Sequence, residues 1–121
     1  GNSRSDSWGS GAVYVGLDIS GNCLKKEGFY HPQVGRAGVI TQHPDSGIVF
    51  DGYKLSFLKE AVNLCIKAHY LFPQIFCIGW DVVLTDDGPQ ILEGNEIPGL
   101  DAVQCIEGGL RRGLVEYSRI T

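Results

Sequence analysis

"GWDVVLTDDGPQILEGNE", residues 79–96, holds two apolar, β-branched runs on either side of a turn-forming Asp-Asp-Gly. That is the pattern of a β-hairpin. It also carries charge where charge is costly: Asp81 lies inside the first run, Glu93 inside the second, and Asn95 follows two positions on. Alternate strand residues share a face, so Ile78, Trp80, Val82 and Leu84 go to one side and Cys77, Gly79, Asp81 and Val83 to the other. The first set is bulky and predicts the core face. Glu93 and Asn95 point the same way as each other. A three-residue Asp-Asp-Gly loop, a type I turn closed by a left-handed Gly88, pairs Thr85 with Pro89 and sets Asp81 directly opposite Glu93. A two-residue loop shifts the register by one and parts the two acids. The three-residue loop also keeps Leu92 with the core set, so it is the predicted one.

The result is a face carrying Asp81, Glu93 and Asn95, flanked by Val83 and Ile91. Like charges opposite one another on neighbouring strands destabilise a sheet. At about 5 Å, two carboxylates repel by several kcal/mol at an intermediate dielectric unless one protonates or a cation sits between them. Three oxygen donors without imidazole or thiolate suit a hard ion, Mg²⁺ or Mn²⁺, better than zinc. Two other readings stay open on spacing alone. One is a pair of solvated strand carboxylates with no ligand. The other is a glycosidase-like acid pair, which leaves Asn95 unexplained and has no sugar-stacking aromatic on that face.

Outside the hairpin, "AVYVGLD" (12–18) predicts a strand closed by the turn "DISGN", and "CLKKEGFY" returns as a second strand. "GRAGVIT" supplies a short third strand, and 42–56 is mostly connection, punctuated by Pro44, Asp45, Gly47 and Gly52. In "SFLKEAVNLCIKAHYLF", apolar Leu58, Ala61, Val62, Cys65 and Ala68 recur at helical spacing, with Ser56 as N-cap and Pro73 ending the run. That stripe is core packing. "GLDAVQCIEGG" and "LRRGLVEYSRIT" predict one or two closing helical segments. Mixed strands with one or two packed helices make an α+β domain over 12–121.

At 121 residues with 20% charged side chains, the chain suits one folded domain. A net charge of −4 and no basic run beyond a pair argue against nucleic acid and an anionic membrane surface. No apolar stretch is long enough to span a membrane. Cys23, Cys65, Cys77 and Cys105 form no CxxC pair, which predicts free thiols and a reducing cytoplasm. There is no methionine, and residues 1–11 read as a polar loop whose Gly1 resembles a cleavage remnant. The expectation is a piece of a larger protein.

With these residues in view, "DVVLTDDGPQILEGNEIPG" resembles the closing metal-binding hairpin of the ATP-grasp superfamily. The longer run "FPQIFCIGWDVVLTDDGPQILEGN", with "HPDSGIVFDGY" upstream, resembles the sugar-transfer-associated ATP-grasp family, and the similarity covers most of 11–99. The resemblance implies the C-terminal lobe of that fold. Asp81 would hold one Mg²⁺ (or Mn²⁺), Glu93 would bridge two, and Asn95 would complete the second. Val83 would pack on adenine, and Pro98 and Gly99 would form the turn near the acceptor. His43, in the "HPDSG" turn, is either a structural turn residue or a substrate contact. The implied partners are ATP, a carboxylate-bearing small molecule and an upstream lysine-bearing lobe. The implied chemistry is transfer of the γ-phosphoryl of ATP to the carboxylate, giving an acylphosphate that an amine or similar nucleophile attacks. Gly79 stands where many such ligases carry an arginine. The alternative is therefore a small noncatalytic α+β module that keeps the hairpin as scaffold.

Overall fold

The structure, a computed structural model, describes residues 12–30 and 38–100 together with Val103, Ile106, Val115 and Glu116. The loop predicted over 1–11 lies outside the described residues. So do most of the closing segments predicted beyond residue 100, although those four later positions are helical. Two compact units divide the chain: Gly1–Gly16, Leu24–Tyr53 and Leu100–Thr121 in the first, Leu17–Cys23 and Lys54–Gly99 in the second. Among the described residues the secondary structure is α+β, with antiparallel sheets and one long helix, as the residue pattern predicts.

Strands β1 (Val13–Asp18), β2 (Cys23–Tyr30) and β3 (Val39–Ile40) form one sheet in that order. β2 and β3 are antiparallel, with Gly28 opposite Ile40 and Phe29 opposite Val39. The "DISGN" turn is closed by its own polar groups. Asp18 Oδ1 accepts from the Ser20 hydroxyl at 2.8 Å and from the Gly21 N–H at 3.0 Å. Asn22 takes a left-handed φ of 55°, a conformation Asn tolerates better than most residues. In the first unit Phe50 is the buried anchor, at 3% exposure, and the rings of Tyr14 and Phe29 stack at 6.4 Å.

Helix α1 (Leu58–His69) belongs to the second unit and packs against the hairpin there. Leu58 and Ala61 are buried, Val62, Cys65 and Ala68 are half-buried, and Lys59, Glu60, Asn63 and Lys67 face solvent. The predicted stripe is therefore the packing face. Its start is not where the cap signal placed it. Phe57, at φ 62° and ψ 16°, is the N-cap residue, and no side chain caps the first turn. The left-handed Phe57 turns the chain into the helix, which leaves Ser56 outside capping position. Cys23 is buried, Cys65 and Cys77 are half-buried, and all three thiols are free. Among the described residues, no helix is long and apolar enough to cross a membrane.

The hairpin pairs β4 (Gly79–Thr85) with β5 (Gly88–Asn95). Its loop is shorter than predicted. Thr85 pairs with Gly88, not Pro89, so only Asp86 and Asp87 lie between the strands. Gly88 keeps the left-handed conformation, at φ 119°. The Thr85 hydroxyl locks the turn, donating to the Gly88 carbonyl at 2.7 Å and accepting from the Asp87 N–H at 3.3 Å.

By itself that loop would set Asp81 against Leu92. A bulge intervenes: Val82 pairs with Ile91 and Asp81 with Glu93, leaving Leu92 as the extra residue. Leu92 is accordingly 67% exposed, where the three-residue loop had it in the core. Ile91, opposite the half-buried Val82, takes its place rather than flanking the acids beside Val83.

Candidate functional site

Four side chains of the predicted site share the exposed side of this hairpin. Asp81 and Glu93 are direct cross-strand partners, and Asn95 lies two residues along β5, opposite Gly79. All three are exposed. Val83, two residues past Asp81 on β4, is also exposed, at 37%. The predicted pairing of Asp81 with Glu93 thus forms, through a two-residue loop and a compensating bulge, without Ile91 at its flank.

Asn95 Nδ2 donates to Glu93 Oε1 at 3.0 Å. That contact orients the amide, so Asn95 Oδ1 faces away from the hydrogen bond and remains available as an acceptor. It also gives Glu93 a neutral donor, so charge repulsion is not the only force acting on its carboxylate.

The set fits a hard divalent ion as a corner, not as a cage. Its donors are all oxygen: two opposed carboxylates and an amide carbonyl. Among the described residues, no group of three or more His, Cys, Asp or Glu side chains is placed to hold a metal. An ion here would take its remaining ligands from water and from a phosphorylated partner, as Mg²⁺ commonly does.

Pro98 is placed against β4. A Cβ on Gly79 would lie 2.6 Å from Pro98 Cβ, so the bare glycine is what lets Pro98 pack there. Gly99 has open space around it. His43 belongs to the other unit and opens the turn that Gly47 closes, the Gly47 N–H donating to the His43 carbonyl at 2.9 Å. Its Nδ1 accepts from the backbone N–H groups of Asp45 at 3.3 Å and Ser46 at 3.2 Å, which leaves Nε2 as its outward donor. This is a turn-holding geometry.

Sequence reasoning passed over the far end of the hairpin. The Trp80 ring lies against Gly94, its cross-strand partner, where a Cβ would come within 2.6 Å of Cζ3. An aromatic paired with a glycine is a recognisable packing signal, but it is visible only once the register is known. Trp80, Phe72, Ile75 and Ile78 then wall a cleft of about 470 Å³ that Gly94, Asn95 and Glu96 complete.

Compared with known proteins, residues 1–117 match the family described as sugar-transfer associated ATP-grasp. No curated protein and no solved structure matches the chain.

Proposed function

Because the chain belongs to the sugar-transfer associated ATP-grasp family, we propose that the exposed β4–β5 face is the metal-holding part of its ATP site. The observation that carries this reading is the direct pairing of Asp81 with Glu93, with Asn95 beside them and its carbonyl oxygen available. Asp81 and Glu93 would hold Mg²⁺ or Mn²⁺, with Asn95 Oδ1 completing the set. The ion would supply neutralisation of phosphoryl charge, the main requirement of such transfer. Val83, exposed on the same side, offers an aliphatic surface to the adenine.

In this reading the protein activates a carboxylate as an acylphosphate and passes the acyl group to an amine or similar nucleophile. Pro98 and Gly99 lie toward the acceptor, and the lysine-bearing lobe that closes over ATP is supplied from upstream. His43 serves its own turn, and any contact with substrate is through the outward Nε2–H. The cytoplasm is its proposed location, consistent with free thiols.

The noncatalytic alternative draws on Gly79. With Pro98 packed where its Cβ would project, an arginine cannot be accommodated there without moving Pro98. Titration calorimetry of the full-length protein with Mg²⁺ and a nonhydrolysable ATP analogue separates the two. Saturable binding lost in Asp81→Asn and in Glu93→Gln supports the ATP site. No binding in the unsubstituted protein favours the scaffold module.

A further inference from the structure

The cleft beside Trp80 has walls that brace one another. Two neighbours fix the Trp80 ring: the bare backbone of Gly94 beneath it and the Phe72 ring, 6.4 Å away and tilted by 49°. Phe72 is itself held by a short network after the helix. Its N–H donates to the His69 carbonyl at 2.9 Å, the Ile75 N–H donates to the Phe72 carbonyl at 3.0 Å, and His69 Nε2 donates to the Ile75 carbonyl at 2.8 Å. The walls are thus an open aromatic and aliphatic corner, and its volume of about 470 Å³ suits a small molecule.

Its charge is one-sided. Among the described residues, Glu96 is the only ionisable one lining the cleft, is exposed, and has no hydrogen-bond or ion-pair partner. An aromatic wall and a carboxylate both attract a cation, and the isoleucines accept an apolar body. Among the described residues of the lining, an anion or a phosphate would find no cationic group.

We propose that this cleft binds a primary amine carried on a flat, apolar body. The ammonium would sit between Glu96 and the Trp80–Phe72 corner, with the body against Ile75 and Ile78. Asn95 lines the cleft and also bonds Glu93, so the amine site and the acid face meet at one residue. The pocket stands independently of the ATP-site reading. Only the further step, that its occupant is the nucleophile acceptor, rests on that reading.

The test uses Trp8→Phe protein, which leaves Trp80 as the one fluorescent tryptophan of the two in the chain. Benzylamine and its neutral analogue benzyl alcohol are titrated without metal or nucleotide. The expected result is saturable quenching by benzylamine at least fivefold tighter than by benzyl alcohol. Glu96→Gln, a surface change that leaves the walls intact, should erase that difference. Gly94→Ala, which displaces the ring, should weaken both ligands. Equal affinities for the two probes, or a preference that survives Glu96→Gln, overturn the amine assignment, and no saturable response overturns the site. Because magnesium and ATP are absent, benzylamine binding without nucleotide binding in calorimetry would sink the ATP reading and leave this one standing. The reverse outcome would do the opposite.

Discussion

Asp81 on β4 and Glu93 on β5 are direct cross-strand partners, and the pairing depends on the bulged Leu92 that restores register after a two-residue loop. Two carboxylates so placed repel, yet Asn95 Nδ2 donates to Glu93 Oε1 at 3.0 Å and offsets part of that cost. Glu93→Gln removes the like charge while Gln Oε1 can still accept from Asn95. The metal-free variant should match or exceed the unsubstituted chain in stability at neutral pH, by no more than about 1 kcal/mol for groups this exposed. It should also lose any stabilisation by millimolar Mg²⁺, because ligand binding stabilises only through the site it occupies. Thermal unfolding with and without Mg²⁺ reads both effects. A clear drop in metal-free stability would mean that the Glu93 charge is itself stabilising.

The bulge predicts opposite fates for neighbouring residues. Leu92 is exposed, so Leu92→Ser should stay within about 0.5 kcal/mol. Ile91 is half-buried opposite Val82, so Ile91→Ser should cost about 1–3 kcal/mol. Urea unfolding of the two variants checks this. A regular hairpin with a three-residue loop would reverse the order.

Gly79 and Pro98 should be strongly coupled. Gly79→Ala puts a methyl 2.6 Å from Pro98 Cβ and should destabilise by about 1–3 kcal/mol. Pro98→Gly removes the opposing Cβ. In a double-mutant cycle it should recover a large part of that loss. Additive costs would mean that the two residues do not press on each other.

Burial pushes the Cys65 thiol above its ordinary value. A raised thiol value means that folding favours the protonated form. Its contribution is fully present below the unfolded thiol's value and is lost as pH rises through the folded one. Stability should therefore fall on the alkaline side, and Cys65→Ala should flatten that fall whatever it does to the absolute level. Unfolding curves from neutral to alkaline pH measure the slope. An unchanged slope in Cys65→Ala would assign the alkaline loss to other groups.

Much of this fold is legible in local chemistry. The β1–β2 hairpin follows from alternating strand residues around "DISGN", and the α1 stripe from apolar spacing. The acid pairing is legible too, but for the wrong reason. Counting from a three-residue loop reached Asp81–Glu93, whereas the chain combines a shorter loop with a bulge, and two one-residue shifts cancel. Nothing in "PQILEGN" marks Leu92 as the extra residue, because Ile91 and Leu92 are equally apolar and only packing against Val82 chooses between them. The Ser56 cap failed similarly: local preference favours serine, but the left-handed Phe57 sets the chain's entry into the helix. Trp80 on Gly94 and Pro98 on Gly79 are contacts between residues distant in sequence, invisible until register and chain reversal are known.

The central claim is that Asp81, Glu93 and Asn95 form one divalent-ion corner. Paramagnetic Mn²⁺, titrated into the ¹⁵N-labelled chain, tests it most directly. The account predicts selective broadening of the Asp81, Glu93 and Asn95 amides at low Mn²⁺, abolished in Asp81→Asn and displaced by excess Mg²⁺. Broadening centred on other acids, or unchanged by Asp81→Asn, would contradict it.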